Sequence, residues 1–203
     1  MISENWKTKK TLKIAILGEG SVGKTTISKK YSEDLSEAEK ITMTKGVDIA
    51  VKNLIHKSTP IALQIWDFAG QKQFRFMIDI FLRGVKGIVY VYDVNDIETL
   101  YLLYEFVEIV RSYFKENNIL QVPEVLVGNK IDIGDAEVTI EDIYNFMNTH
   151  GIEKHFLVSG MYGDNVFPLF DYLVEKIRIG KEASKMVEEG EVIFLEASTT
   201  VLH

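Results

Sequence analysis

Cysteine is absent from the 203 residues, proline occurs three times, and arginine only at Arg75, Arg83, Arg111 and Arg178. The lack of cysteine excludes a disulfide framework, a zinc–cysteine or iron–sulfur centre and a thiol nucleophile, and it points to a reducing compartment. So few prolines leave no proline-rich linker. No apolar run approaches the roughly 20 residues that span a bilayer, and the opening MISENWKTKK lacks the apolar stretch of a signal peptide. Positive charge is scarce as well. The 23 Lys and Arg stand against 30 Asp and Glu, a net charge of -7. A chain so acidic is not built mainly to neutralise phosphate backbones, so nucleic acid is not expected as a partner.

What is present suits one globular domain with a short appendage: 46% of the residues are hydrophobic and 26% charged. Apolar runs predict strands near Leu12–Leu17, Val47–Ile55, Ile61–Trp66, Gly87–Tyr92, Val125–Val127 and Phe156–Val158. Val47, Ile49, Val51 and Ile55 alternate with polar or small residues, as do Ile61, Leu63 and Ile65 after a short connection, which reads as an antiparallel hairpin. GIVYVY and EVLVG do not alternate, as expected of strands covered on both faces. Helices are predicted over Lys24–Glu33, Thr139–Asn148 and Asn165–Ile179, with Thr139 and Asp142 as a capping box. Leu100, Leu103, Val107, Val110 and Phe114 recur at helical spacing, and Leu102, Phe106, Ile109 and Tyr113 widen that stripe. The fold class expected is α/β, a doubly wound and mostly parallel six-stranded sheet with one antiparallel edge hairpin. It divides into an arm over 1–10, a domain over 11–180 and a tail over 181–203.

The first strand runs directly into GEGSVGKT, Gly18 to Thr25, which fits the glycine, four residues, glycine, lysine, Ser/Thr pattern. A phosphate chain needs several N–H donors converging on its oxygens, and only a tight loop of little bulk lets a backbone come that close. Gly18, Gly20 and Gly23 supply the freedom, while Glu19, Ser21 and Val22 fill the positions between. The helix that starts at Lys24 adds its positive end. Lys24 offers an ammonium to the β- and γ-phosphates, and Thr25, followed by Thr26, a hydroxyl for Mg²⁺. Kinases, ATPases and GTPases all use such a loop, so base and chemistry stay open here.

GNKID follows the strand at Val125–Val127, so Asn129, Lys130 and Asp132 fall at the carboxyl edge of the sheet, where doubly wound folds bind ligands. An ionised carboxylate only accepts hydrogen bonds. Asp132 therefore suits guanine, which presents adjacent N1–H and N2 amino donors, whereas adenine has no such pair.

With these residues in place the chain resembles the Ras superfamily of small GTPases, and the Rab-like branch within it, over roughly Leu12 to Ile179. The resemblance rests on GEGSVGKT, on Thr44 in TKGVD, on WDFAGQKQFR, on RGVKGIVYVYDVND, on GNKID and on VSGMYGDNV. It implies a GTP/GDP switch with Mg²⁺. Thr44 would close onto the metal and γ-phosphate in the triphosphate state, Asp67 would hold a metal-bound water, the Gly70 N–H would contact the γ-phosphate, and Gln71 would orient the attacking water. A neutral amide such as Gln71 can both donate and accept, which suits aiming a water. Where the family usually reads Ser-Ala-Lys in its last guanine loop, this chain has Ser159, Gly160 and Met161; glycine keeps the main-chain N–H that would meet the guanine O6.

No arginine precedes Asp67, so an activating partner is expected to supply one, beside exchange factors and effectors. Residue 2 is Ile and cysteine is absent, so no direct lipid anchor is expected and the chain is placed in the cytoplasm. The histidines at 56, 150, 155 and 203 lie outside every motif and receive no role. Two rivals remain: a nucleotide-dependent binding module with negligible turnover, and a P-loop ATPase or kinase.

Overall fold

The structure, a computed structural model, describes residues 9–33, 39–42, 46–68, 70, 78–119 and 122–188. Its elements run β1 (Lys10–Leu17), α1 (Lys24–Glu33), β2 (Glu39–Thr42), β3 (Val47–His56), β4 (Thr59–Phe68), α2 (Ile78–Leu82), β5 (Gly87–Asp93), α3 (Ile97–Glu116), β6 (Glu124–Asn129), α4 (Ile140–His150), β7 (Lys154–Val158) and α5 (Val166–Glu188). They build one sheet in the order β2-β3-β4-β1-β5-β6-β7. β1 lies parallel between β4 and β5, and β6 and β7 continue the parallel array. β3 pairs antiparallel with β4, as the alternating pattern predicts.

The sheet has seven strands where six were expected. The addition, β2, is four residues long and pairs antiparallel with β3 at the edge. Such a strand needs only the free hydrogen-bonding edge of its neighbour, so EKIT carries no apolar run to announce it. α2 was likewise not anticipated. α5 does not stop at Gly180 but runs on to Glu188. The residues after the glycine are good helix formers, and one glycine costs a helix only about 1 kcal/mol. Thr44, Gln71, the arm over 1–8 and the tail from 189 lie outside the described residues.

The alternation of β1 divides the interior into two cores. Ala15 and Leu17 join Ile88, Tyr90 and Tyr92 against Leu100, Leu103, Phe106 and Val107 of α3. Leu12, Ile14 and Ile16 join Val89, Val91, Val125 and Val127 against Ile27 and Tyr31 of α1 and Leu169, Phe170 and Leu173 of α5. β5 and β6 are buried at every position, which explains their unbroken apolar runs. The α3 stripe packs on the sheet through Leu100, Leu103, Phe106, Val107, Val110 and Phe114. Thr139 and Asp142 form the predicted capping box, side chain to main chain in both directions. This double-sided packing fixes the sheet and leaves the loops at the carboxyl ends of β1, β4, β5, β6 and β7 along one edge.

Candidate nucleotide site

The loop after β1 is wound tightly. Gly18 has φ 150° and Gly23 φ 95°. A Cβ on Gly18 would overlap the Val91 carbonyl, and one on Gly23 would overlap the Asn129 amide. None of the described residues accepts from the N–H groups of Ser21, Val22 or Gly23, which leaves a ring of donors suited to an anion at the start of α1. Lys24 is buried and its Nζ donates to the Glu19 carbonyl at 2.6 Å, folding the ammonium back over the loop. Burial pulls its pKa down, against the pull of Asp67 and Glu19.

Asp67 lies near the end of β4, opposite Ile16 of β1. Its buried carboxylate accepts from the Thr25 hydroxyl. Burial raises its pKa, and the Thr25 hydrogen bond and the Lys24 charge oppose that shift. Beyond it, buried Gly70 leans on the phosphate loop so closely that a Cβ would overlap main-chain atoms of Gly18, Glu19 and Gly20. Gly70 thus touches the loop that would carry the phosphates.

At the end of β6, Asn129 donates from Nδ2 to the Val22 carbonyl at 2.8 Å and accepts at Oδ1 from the Gly160 N–H at 2.9 Å. One buried amide ties the phosphate loop to the loop after β7. Lys130 adopts φ 69° and sets its Nζ 2.6 Å from Asp93 Oδ2 at the end of β5. Asn95 supports the same carboxylate and donates to the Lys130 carbonyl. Asp132 is exposed, as is Met161. Ser159 is fully buried and its hydroxyl accepts from the Tyr162 N–H, turning the last loop back on itself.

The family model for the Ras family matches residues 13–179. The chain belongs to the Ras family. Rab-18 of Lymnaea stagnalis is 35% identical over 170 residues, 82% of this chain and 80% of the relative. Rab-18-B of Danio rerio is 35% identical over 167 residues, 82% of this chain and 79% of the relative. RabC of Dictyostelium discoideum is 32% identical over 180 residues, 87% and 88% of the two chains. The Ras-family chain is therefore a Rab-like small GTPase, a switch that binds GTP and GDP with Mg²⁺ and hydrolyses GTP.

The residues of this GTPase fit a magnesium ion. Thr25 and Asp67 bring hydroxyl and carboxylate oxygens together beside the phosphate loop. Among the described residues no group of three or more His, Cys, Asp or Glu is arranged to hold a metal ion by itself. Thr25 and Asp67 would hold the ion, and magnesium is commonly held by one or two such oxygens together with substrate phosphates and water. Of the residues anticipated from sequence, the structure gathers Gly18 to Thr26, Asp67, Gly70, Asn129, Lys130, Asp132 and Ser159 to Met161 at the carboxyl edge of the sheet. Two contacts add to these readings. The Gly160 N–H reserved for guanine is engaged by Asn129. Asp93 and Asn95, which had no assigned role, hold Lys130; the signal was a carboxylate closing the buried run GIVYVYD.

Proposed function

We propose that the nucleotide lies along the sheet's carboxyl edge and that its terminal phosphate is sensed where Gly70 meets the phosphate loop. That contact carries the reading: a glycine pressed on Gly18, Glu19 and Gly20 cannot stay there when phosphate oxygens approach the same backbone. The segment after Asp67 would then move between the two nucleotide states, and effectors would read the difference.

In this reading Lys24 turns its ammonium from the Glu19 carbonyl to the β- and γ-phosphates, and the loop N–H groups hold the rest of the chain of phosphates. Thr25 and Thr44 would hold magnesium directly and Asp67 through water; the ion, when bound, neutralises charge on the β- and γ-oxygens. Gln71 aims the attacking water. Asp132 accepts from the guanine N1–H and N2 amino group. Lys130, fixed by Asp93, and the Ser159–Met161 loop frame the base. Exchange factors and a GTPase-activating partner complete the cycle, in the cytoplasm. The nucleotide domain begins near Thr11 and ends within α5.

Competition between GTP and ATP, measured on wild type and Asp132→Asn, tests the base contact. Wild type is expected to prefer GTP by orders of magnitude, and the variant to shift toward xanthine nucleotide, because an amide cannot accept from both guanine donors. Equal displacement by ATP overturns the assignment. Gln71→Leu is expected to slow single-turnover hydrolysis while leaving GTP affinity near wild type; an unchanged rate removes Gln71 from the reaction.

A further inference from the structure

The pole opposite the nucleotide edge gathers cations from separate elements. Because β1 runs parallel to β4 and β5, their amino ends share one edge. Lys9 and Lys10 enter there, with Lys9 Nζ reaching Asn53 on β3 at 3.4 Å. The Lys86 N–H donates to the Lys13 carbonyl, and Lys13 Nζ reaches the Arg83 carbonyl at 3.1 Å. α5 closes the group. Ile177 lies over Gly87, and one turn later comes Lys181, whose pKa is lowered first by burial and then by the charges of Lys86 and Lys10. Lys9, Lys10, Arg83, Lys86 and Lys181 are exposed.

Some cations elsewhere in the molecule have carboxylate partners. Lys57, on the neighbouring hairpin, is paired with Glu175, and Arg111 with Glu124. Among the described residues no carboxylate forms an ion pair with Lys9, Lys10, Lys13, Arg83, Lys86 or Lys181. In a chain of net charge -7, six cations gathered at one pole without a carboxylate partner among the described residues concentrate like charge, which repels; one of them, Lys13, is half-buried with its ammonium 3.5 Å from the centre of the Trp66 ring. Two exposed isoleucines border them, Ile55 at the end of β3 and Ile179 on α5, 67% and 47% accessible.

We propose that this pole is a contact surface for anionic phospholipid. Five of the six cations are lysines, compact point charges that suit a diffuse array of phosphates better than the paired geometry of peptide carboxylates, for which arginine is the better fork. They come from the entry and first half of β1, the turn between α2 and β5 and the later part of α5, a broad face and not a groove that would grip one chain. Ile55 and Ile179 give that face apolar points at headgroup depth.

Co-sedimentation of the full GDP-loaded chain with vesicles tests it. Binding is expected to vesicles carrying about one-third phosphatidylserine and not to phosphatidylcholine alone, and to weaken steeply as salt rises from about 0.05 to about 0.5 M. Each charge removed near the surface should lower partitioning about fivefold. Lys86→Glu with Lys181→Glu should therefore abolish sedimentation while GDP affinity and thermal unfolding stay at wild-type values. Lys86→Arg with Lys181→Arg should retain it. Equal binding to both vesicle types, no binding to either, or an unaffected Lys86→Glu/Lys181→Glu variant overturns the proposal. So does retention by soluble polyglutamate without retention by the anionic vesicles, which would make the partner an acidic protein.

Discussion

Asn129 uses both ends of its amide within the protein, one on Val22 and one on Gly160. Removing it leaves a buried carbonyl and a buried N–H without partners, and each such group costs about 1–3 kcal/mol. Asn129→Ala should therefore lower the stability of the nucleotide-free chain by about 2–4 kcal/mol in urea unfolding. If stability holds and only nucleotide affinity falls, the residue acts on the ligand and not as a staple. His155 makes a different point at the same scale. Its Nε2 meets the Tyr92 hydroxyl at 3.0 Å, and burial, with Lys154 beside it, lowers its pKa to about 4 from the ordinary 6.5. Between these values the unfolded chain binds the proton and the folded one does not. The stabilisation is full above pH 6.5 and is lost as pH falls toward 4, by at most about 3 kcal/mol. His155→Gln should flatten that part of the stability profile relative to wild type; superimposable slopes for the two proteins would refute it. Neither residue's partner is evident from sequence, since the contacts join positions 107, 31 and 63 apart along the chain.

Between elements, the Arg111–Glu124 pair joins three of them. Both guanidinium nitrogens reach the Glu124 carboxylate at 2.8 Å, and one also donates to the His150 carbonyl at the end of α4. Glu124 has a side chain only 2% exposed, and burial raises its pKa in spite of the arginine. Arg111→Met should cost about 3–5 kcal/mol by stranding that carboxylate, whereas Arg111→Met with Glu124→Leu should recover most of the loss. A urea double-mutant cycle measures the coupling, and strictly additive losses would contradict it. The elements themselves were largely legible. The core positions of β1, β5 and β6, the hairpin, the α3 stripe and the α4 cap follow from patterns local to each segment. β2 was not, because its stability comes from the β3 edge, and the end of α5 was not, because a lone glycine is too weak a stop. The candidate site was read through its motifs, which keep a fixed order along the chain. What escaped was the support behind them: Asp93 and Asn95 under Lys130, and His56 and Lys57, which carry the β3–β4 hairpin to Glu175 of α5 across 119 and 118 residues of sequence.

Across the whole molecule, the distribution of arginine bears on how fast the switch can turn itself off. Phosphoryl transfer to water gains about 10³–10⁵ in rate from an arginine that stabilises the transition-state charge. Three of the four arginines have other places. Arg83 follows α2 at the cationic pole, Arg111 is paired with Glu124, and Arg178 is paired with Glu175 on α5. None of them lies at the carboxyl edge of the sheet, and no arginine occurs between Lys24 and Asp67. Only Arg75, four residues after Gln71, is near the reacting segment in sequence. The purified chain should therefore hydrolyse GTP slowly in a single turnover, slower by about 10³–10⁵ than the same chain given an arginine by an activating protein. If hydrolysis is instead complete within seconds, the arginine must come from within, and Arg75→Ala should remove that speed. A fast chain that is indifferent to Arg75→Ala would refute the argument altogether, since it would show that charge in the transition state is met here without any guanidinium.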